Sequence, residues 1–373
     1  MTEPKDLSMI ATEQTLTGTS MLNWLRLLWE NKFKLSFKYL HKILLINIMI
    51  IFSTPFIWFE RLFFTRRIKK TEIKHPPIFI LGHWRSGTTY LHMLLIQDKQ
   101  FSFCSNLQSF MPFVFLGSTW LFGRIVADAM PEKRRQDNFV LGIDLPSEEE
   151  FGVGNLYPIG FYHGLSFPNK RMYYARYINF EDVPEKKVNK WKQTYQFFLK
   201  KLTYASKGKQ LVLKNPPNTS RIKELLDMFP DAKFIHIYRN PYEVFNSTVK
   251  MYTSLVPPFF LQRPDTDSPN EVIFDVYEMM HKKFFAEKHL IPKNNFIEIR
   301  YEDFLQDPFK TIESIYSKLS LPGFAEAKDG IKAYISEQKS YKTNKHKFSR
   351  EIIDEVSKRW DLTIKAWGYS RPE

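Results

Sequence analysis

Residues 78 to 92, Ile-Phe-Ile-Leu-Gly-His-Trp-Arg-Ser-Gly-Thr-Thr-Tyr-Leu-His, predict an apolar strand, a glycine-bounded loop and the start of a helix. Gly82 and Gly87 bracket four residues, as in the phosphate-binding loop G-x-x-x-x-G-K-[ST], where backbone N–H groups at a helix N-terminus hold an anion. Thr88 stands where that loop has its Lys, so Arg85 supplies the positive charge. We therefore expect the loop to bind a phosphoanhydride other than a triphosphate.

The side chains of this loop are more polar than a turn requires. Hydroxyl and cationic groups crowd beside the apolar strand, at Arg85, Ser86, Thr88 and Thr89. A tight β-to-α turn would need its glycines only for backbone geometry. An anionic ligand explains the crowding, because cations and hydroxyls next to a buried strand need polar partners. The pattern predicts an anion site here.

A strand-helix-strand unit follows at residues 210 to 250. Apolar runs at residues 211 to 213 and 234 to 238 predict two strands, and Asn218 or Thr219 is expected to cap the helix between them. Strands joined through a helix in this way are typically parallel. The unit therefore predicts an α/β fold with a parallel sheet.

The second of these strands ends in Arg239, and the helix after it carries Ser247 two turns later. Phosphate-hydrolysing enzymes with a similar first loop usually place an acidic Mg²⁺ ligand at such a strand end. A guanidinium and a hydroxyl can instead hold a second phosphate. A nucleoside or sugar kinase would need the metal ligand and a Lys after Gly87, so this alternative is disfavoured.

The two sites together resemble the sulfotransferases that use 3′-phosphoadenylyl sulfate (PAPS), and more closely the bacterial branch related to the tyrosylprotein sulfotransferases. In that family the first loop holds the 5′-phosphosulfate, and the strand-end Arg and later Ser hold the 3′-phosphate. The resemblance spans roughly residues 77 to 309. It implies that PAPS is the donor and that the phosphosulfate contacts Arg85, Ser86, Gly87, Thr88 and Thr89, while the 3′-phosphate contacts Arg239 and Ser247.

Further donor contacts follow from the same resemblance. Lys214 lies where the tyrosylprotein enzymes have a Lys that stabilises charge on the transferred sulfuryl group, and Tyr301 resembles a Tyr that lies near the adenine. Near the C-terminus, residues 342 to 347 form a basic stretch that contains Lys345 and Lys347. This stretch is either a solvated surface or a cover over the donor phosphates.

The general base is harder to predict. Tyrosylprotein enzymes carry a catalytic Glu after their first loop, but residues 103 to 107 contain no carboxylate. The acidic segment at residues 144 to 151 resembles a Pro-x-Glu-x-Glu-Phe motif of the bacterial group. Glu148 and Glu150 would lie on one side of an extended chain, which favours them over Glu149 as the base.

Two other interpretations of the base stay open. The acidic segment can instead be the first turn of a helix capped by Ser147, since carboxylates favour the positive end of the helix dipole. His83, His92 and His163 are rival bases, although a single His near apolar residues is more often a packed side chain.

The expected chemistry is an in-line transfer in which an acceptor hydroxyl loses its proton and attacks sulfur. Arg85 and Lys214 would neutralise the charge that grows on the leaving phosphate. Metal-ligand spacings such as His-x-x-x-His, paired Cys or an Asp-rich loop do not occur in the sequence. We therefore expect no metal cofactor.

Composition narrows the class of protein. Lys and Arg total 54 against 40 acidic residues in 373, a net charge of +14, which suits a polyanionic donor or an anionic membrane surface. Nucleic acid is not favoured as a partner, because no recognised binding motif accompanies the charge. Cys104 is the single cysteine, which favours a reducing, cytoplasmic location over a disulfide-built secreted protein.

The N-terminal region contains an apolar run at residues 43 to 59 with basic residues on both sides. A membrane-crossing helix needs about 20 apolar residues, so this run is borderline for spanning. Basic flanks at both ends favour a helix that lies peripherally on an anionic membrane surface. A helical hairpin packed on the catalytic domain and a true span are the alternatives.

The sequence therefore predicts a P-loop-like, three-layer α/β/α fold with a central parallel sheet, a helical N-terminal arm and helical insertions. The arm covers residues 1 to 74 and the sulfotransferase domain residues 75 to 373, with an insertion at residues 98 to 209 that shapes the acceptor pocket. An aromatic pocket near a membrane-seeking arm favours a lipid-like or otherwise amphiphilic hydroxyl acceptor. A non-catalytic, membrane-associated nucleotide-binding protein is the remaining alternative. Oligomeric state leaves no signal in the sequence.

Overall fold

The computed structural model describes residues 14–130, 142–266, 268–338 and 349–372. Five strands occur in chain order: β1 (Ile78–Leu81), β2 (Phe101–Ser102), β3 (Gln210–Lys214), β4 (Lys233–Tyr238) and β5 (Phe296–Arg300). The α-helices of these ranges are α1 (Met21–Glu30), α2 (Leu40–Lys70), α3 (Thr88–Leu95), α4 (Asn106–Phe110), α5 (Thr119–Ala129), α6 (Glu149–Leu156), α7 (His163–Ser166), α8 (Arg171–Asn179), α9 (Glu185–Ala205), α10 (Ile222–Met228), α11 (Pro241–Ser254), α12 (Asn270–Glu287), α13 (Tyr301–Gln306), α14 (Pro308–Lys318), α15 (Phe324–Glu337), α16 (Arg350–Arg359) and α17 (Asp361–Trp367).

The strands form one parallel sheet in the order β2-β3-β1-β4-β5. β1 lies at its centre, and all four of its residues are buried. Its unbroken apolar sequence fits this position, because a central parallel strand is covered on both faces. The prediction of an α/β fold with a central parallel sheet is confirmed. The sheet also brings the carboxyl ends of β1, β3, β4 and β5 to one edge, where open α/β sheets bind their ligands.

The chain divides into two compact units. The sheet unit consists of Lys74–Phe103, Lys209–Lys250 and Ser268–Glu373. Its core includes Ile80, Leu91, Ile235, Ile237 and Phe304, all fully shielded from solvent. This unit carries the glycine loop and both predicted phosphate sites.

The helical unit consists of Met1–Ile73, Cys104–Gly208 and Met251–Asp267. The predicted N-terminal arm and most of the predicted insertion therefore share one unit. Aromatic side chains of α9 fill its interior: Trp191 packs against Tyr195 with ring centroids 4.9 Å apart, and both are fully buried. The boundary at residue 74 between arm and catalytic domain stays a prediction.

Candidate active site

The loop after β1 has a backbone that depends on its two glycines. Gly82 has φ +141°, and a Cβ there would lie 2.4 Å from the carbonyl oxygen of Ile237. Gly87 has φ +93°, and a Cβ there would lie 2.4 Å from the ring of Tyr301. Both positions combine an unfavourable φ with a close neighbour, so an alanine would be strained at either. The glycines hold the loop against β4 and α13.

Thr219 supports the same loop from the turn after β3. Its Oγ1 accepts a 2.8 Å hydrogen bond from the Gly82 N–H, and its side chain is fully buried. The expectation that Asn218 or Thr219 caps the following helix is wrong. A 3₁₀ turn at Pro216–Ser220 precedes α10, whose N-cap is Arg221 without a side-chain cap hydrogen bond.

Arg85 connects the two predicted phosphate sites. Its Nε donates a 2.8 Å hydrogen bond to Oγ of Ser247 on α11. Its carbonyl oxygen accepts a 3.2 Å hydrogen bond from Nη1 of Arg239 at the end of β4. Arg85 itself has φ +71°, a conformation that side-chain-bearing residues rarely adopt and that often marks a functional turn. The loop arginine, the strand-end arginine and the later serine therefore form one contiguous group.

Arg239 is also in contact with Tyr301, the first residue of α13. The Arg239 Cζ lies 4.6 Å from the centroid of the Tyr301 ring, a cation–π geometry. An ion pair at 3.6 Å joins Arg239 to Glu243 one turn later on α11. Tyr301 thus touches both the predicted 3′-phosphate arginine and the position of Gly87 in the glycine loop.

Lys214 ends β3, directly beside β1, where it pairs in register with Ile80. The residue is buried. Burial, together with the nearby Lys214 charge, lowers the pKa of His92 to about 3. Nε2 of His92 donates a 3.1 Å hydrogen bond to the Val212 carbonyl. A ring with so low a pKa is a weak base, and its hydrogen bond braces β3, so His92 is disfavoured as the general base.

The remaining loop residues complete a concentration of donors. Ser86 and Thr88 are buried, and Thr88 and Thr89 begin α3, whose N-cap is Gly87. The first N–H groups of a helix point outward and carry partial positive charge. Together with two guanidinium groups, they can bind an elongated dianion at this edge of the sheet.

His83 of the same loop is buried, and burial lowers its pKa to about 4. Its Nδ1 lies 2.8 Å from the Trp84 carbonyl oxygen, to which a neutral ring can donate. The side chain packs against Tyr277 with ring centroids 5.0 Å apart. These contacts indicate a packed histidine and disfavour His83 as a base.

The acidic segment lies in the helical unit, and its backbone differs from the expected extended chain. Helix α6 begins at Glu149 with Glu148 as its N-cap, so Glu148 and Glu150 do not project from one side of a strand. The expected side-chain cap from Ser147 is also wrong, because Glu148 occupies that position without a side-chain cap hydrogen bond. The backbone N–H of Ser147 instead donates to Cys104, at 2.8 Å.

The three carboxylates of this segment have separate donors. Glu148 accepts from the Tyr162 hydroxyl, Glu149 from the Tyr195 hydroxyl at 2.7 Å, and Glu150 from the Phe161 N–H at 3.2 Å. Burial raises the pKa of Glu149 from 4.5 to about 7. Glu149 is fully buried, whereas Glu148 is partly exposed. Glu149 is thus a core carboxyl, and Glu148 is the one that solvent reaches.

His163 follows in the same unit. Burial lowers its pKa to about 4, against a smaller opposing effect of the Glu150 charge. The carboxylate of Glu150 and the ring of His163 both border Gly160, where a Cβ would lie 3.8 Å from the Glu150 Oε1 and 3.6 Å from the His163 Nε2. His163 is therefore neutral near pH 7 and does not form a charged pair with the carboxylate of Glu150 there.

The other predicted residues have simple outcomes. Lys345 and Lys347 lie outside the described residues. Within the described ranges, no group of three or more His, Cys, Asp or Glu side chains is arranged to hold a metal ion.

The sequence analysis did not predict that Thr219 supports the glycine loop. It also missed Glu302, which accepts a 3.1 Å hydrogen bond from the Asn240 N–H next to Arg239.

Trp367 and Tyr369, near the C-terminus, contact Glu302 and the end of β4, and so support the backbone next to Arg239. The Tyr369 hydroxyl donates a 2.7 Å hydrogen bond to Glu302. Trp367 stacks on Tyr238, the last residue of β4, with ring centroids 4.7 Å apart. The sequence signal for these contacts was Trp-Gly-Tyr at residues 367 to 369, because Trp and Tyr side chains that pack in a fold usually form a hydrogen bond.

Comparisons with known proteins show the family of the chain. The model of a family described as the sulfotransferase family matches residues 76–326. A sulfotransferase from Mycobacterium bovis, named omega-hydroxy-beta-dihydromenaquinone-9 sulfotransferase Stf3, is 32% identical over 359 residues, which cover 95% of this chain and 91% of the relative. The same protein from Mycobacterium tuberculosis matches equally.

Two crystal structures share the fold. Sulfotransferase STF9 from Mycobacterium avium superposes with a TM-score of 0.67 at 17% identity, covering 83% of this chain and 81% of that one. Sulfotransferase STF1 from Mycobacterium tuberculosis gives 0.57 at 19% identity, covering 88% and 87%. The family match over most of the chain and the 32% identity along nearly its whole length show that the protein belongs to the sulfotransferase family and is a sulfotransferase.

Proposed function

We propose that the protein transfers a sulfuryl group from PAPS to the hydroxyl of a lipid-like alcohol. The observation that carries the donor assignment is the contiguous group of Arg85, Ser247 and Arg239 at the carboxyl edge of the sheet. A nucleotide with anionic groups at both its 5′ and 3′ positions needs cations that lie close together but are held by different elements. Arg85 comes from the glycine loop and Arg239 from the end of β4, which meets this need.

Each donor contact has a separate role in this proposal. Arg239 binds the 3′-phosphate through two N–H groups of its guanidinium, and Ser247 binds it through its hydroxyl. Arg85 and the N–H groups around Ser86, Gly87, Thr88 and Thr89 bind the phosphosulfate at the start of α3. Tyr301 presents an aromatic ring beside Arg239 and contacts the adenine side of the nucleotide.

The reaction is an in-line displacement at sulfur. The acceptor oxygen forms a bond to sulfur while the bond from sulfur to the phosphate oxygen breaks, and the electron pair stays with adenosine 3′,5′-bisphosphate. Lys214 and Arg85 stabilise the negative charge that grows on the bridging oxygen, a contribution of about 3 kcal/mol for a preorganised donor. The acceptor proton passes to the carboxylate of Glu148 or Glu150.

The acceptor class is inferred from two observations. The relative with 32% identity is named for a hydroxylated dihydromenaquinone, which is a lipid. The helical unit of the present chain exposes large apolar side chains along α1 and α2, including Trp29, Ile48 and Leu62. An acceptor with a long apolar chain and a terminal or ring hydroxyl suits such a surface. The protein would then act in the cytoplasm, at the inner face of a membrane.

The proposal is tested by incubating the purified protein with radiolabelled PAPS and a bacterial lipid extract. We expect one or more sulfated lipids by chromatography and mass spectrometry, and we expect no transfer from labelled ATP. Sulfation confined to phenols or sugars, with none in the lipid fraction, would overturn the acceptor class.

Variants test the roles of the residues. Lys214→Ala should lower kcat by about 100-fold or more while binding of adenosine 3′,5′-bisphosphate stays near normal. Lys209→Ala, at the exposed approach to the same strand, is the matched control. Glu148→Gln or Glu150→Gln should remove the acidic limb of the pH–rate profile, whichever residue is the base. Unchanged rates and profiles in both would exclude the acidic segment from proton transfer.

A further inference from the structure

We propose that α2 lies in the plane of an anionic membrane surface, with its apolar face in the bilayer and its other face packed on the helical unit. By length and composition, the helix at Phe37–Lys70 could cross a membrane. The distribution of its side chains instead indicates attachment to one leaflet. The proposal does not depend on the donor site, so its failure would leave sulfuryl transfer untouched.

The exposed face of α2 is continuously apolar. In the fully described stretch between His41 and Arg61, every exposed residue is apolar: Leu44, Ile48, Ile51, Phe52, Pro55, Trp58 and Phe59. At about 100° per residue these positions fall within a sector of roughly 120°. Leu62, which is 77% exposed, continues the same stripe beyond Arg61. A stripe of this size on a water-soluble surface marks an interaction site.

The opposite face of α2 is committed to the protein. Ile46 and Ile50 are fully buried, and Glu60 is buried in an ion pair with Lys201 of α9. Oε2 of Glu60 also accepts a 2.8 Å hydrogen bond from the Leu116 N–H. A crossing helix would have to separate Ile46, Ile50 and Glu60 from these partners and leave an unpaired carboxylate in or beside the hydrocarbon layer, which is unfavourable. The ion pair therefore holds the helix against the protein.

Charge at both ends of α2 supports the same orientation. Within residues 31 to 71, Glu60 is the single acidic residue. The exposed basic residues are Lys32, Lys34 and Lys38 before the apolar stripe, and Arg61, Arg66, Arg67, Lys69 and Lys70 after it. A helix lying in the interface places both groups at the same layer of anionic headgroups. This complementarity of charge identifies an anionic bilayer as the occupant of the apolar face.

Neighbouring elements of the helical unit also expose large apolar side chains. Trp120 on α5 is 72% exposed, and Phe122 of the same helix packs on Phe52 with ring centroids 5.9 Å apart. On α1, Leu25 and Trp29 are exposed and border a groove of about 360 Å³ whose other wall includes Tyr157 and Ile159. Exposed tryptophans are typical of protein segments at the headgroup level of a bilayer.

The first experiment measures co-flotation with sealed vesicles. We expect binding to vesicles of phosphatidylcholine with 30% phosphatidylglycerol, used here as roughly the anionic content of a bacterial membrane, and much weaker binding to pure phosphatidylcholine. Ile51→Asp with Leu62→Asp should reduce binding by about tenfold or more. Leu290→Asp, an exposed apolar position in the sheet unit, is the matched control. Circular dichroism and the binding of adenosine 3′,5′-bisphosphate verify that each variant is folded.

The second experiment distinguishes an in-plane helix from a crossing one. Single cysteines replace Lys34, which precedes α2, and Glu72, which follows it. Both positions are exposed, and the native Cys104 is buried. In inverted membrane vesicles from expressing bacteria, a membrane-impermeant maleimide should label both positions before detergent is added. Protection of one position until detergent is added would overturn the in-plane orientation.

A third outcome concerns another occupant of the apolar face. If the protein is a dimer without lipid, if the aspartate variants convert it to a monomer, and if the vesicles fail to bind it, the face is an interface between two copies. Equal binding to neutral and anionic vesicles would also overturn the proposal, because the basic ends would then have no role.

Discussion

The Nε of Arg85 donates a 2.8 Å hydrogen bond to the Oγ of Ser247, although the two residues are 162 positions apart in the chain. The bond joins the loop after β1 to the helix after β4. These two strands are neighbours in the sheet. A guanidinium carries five N–H donors, and this bond fixes the orientation of the one at Nε. Ser247 thus positions Arg85 as well as offering its own hydroxyl.

This relationship predicts that Arg85 and Ser247 act as a unit. Ser247→Ala should weaken adenosine 3′,5′-bisphosphate binding by about tenfold, since hydrogen bonds to charged groups contribute about 1.5–3 kcal/mol. Arg85→Ala should cost more, and the double variant less than the sum of the two. Isothermal titration calorimetry measures all four proteins, with the exposed Ser336→Ala as a control. Strictly additive losses would mean that the two residues bind the nucleotide independently.

Arg239 is expected to dominate binding of the 3′-phosphate. Arg239→Ala should weaken adenosine 3′,5′-bisphosphate binding by about 100-fold, while adenosine 5′-monophosphate, which lacks the 3′-phosphate, should lose far less. Arg239→Lys should recover part of the loss, because it keeps the charge but not the planar fork. Arg371→Ala, an exposed arginine of the same unit, is the control. Similar losses for both nucleotides would assign Arg239 to another part of the donor.

The sequence predicted the elements of this site better than their contacts. β1 was predictable because an unbroken apolar run ends at a glycine, and the parallel sheet because its strands are joined through helices. The bond between Arg85 and Ser247 depends on β4 pairing directly with β1, and a single sequence does not specify strand order. For the same reason Thr219 was predicted as a helix cap, although it bonds to Gly82 across the sheet edge.

Gly87→Ala should damage the site through Tyr301. The added Cβ would lie 2.4 Å from the Tyr301 ring and would also occupy a φ of +93°. We expect a loss of about 2–3 kcal/mol in stability and a larger loss of nucleotide affinity. Thermal unfolding and calorimetry measure the two effects.

Gly208→Ala separates the causes, because Gly208 has φ +86° but no neighbour within 4 Å of an added Cβ. It should show the cost of backbone conformation alone. Combining Gly87→Ala with Tyr301→Ala should relieve the steric part of the destabilisation. Equal destabilisation by Gly87→Ala and Gly208→Ala would show that the Tyr301 ring moves aside without cost.

The acidic segment illustrates a different limit of sequence reasoning. Three adjacent glutamates give no periodicity, so an extended chain and a helix start fit the sequence equally well. Packing decided the matter: a Cβ on Gly152 would lie 2.6 Å from the Phe198 ring of α9, so α6 packs closely on α9 at a position that has no side chain. On the same helix, Tyr195 donates a hydrogen bond to the buried Glu149. Its environment depends on a helix more than 30 residues away, which local pattern does not report.

The raised pKa of Glu149 predicts a pH-dependent effect on stability. In the folded protein this carboxyl titrates with a pKa of about 7, against 4.5 when exposed, because burial disfavours its charge. Below pH 4.5 it is protonated in both states, whereas above pH 7 folding must bury the charge. The stabilisation is therefore present at low pH and lost as pH rises through 7. Glu149→Gln, a neutral isostere that can still accept from Tyr195, should be more stable than the parent protein by up to about 3 kcal/mol at pH 8 and nearly equal at pH 4. Chemical denaturation of both proteins across this range isolates the effect, because the other titrating groups are common to both. A stability difference that stays constant with pH would mean that folding does not raise the pKa of Glu149.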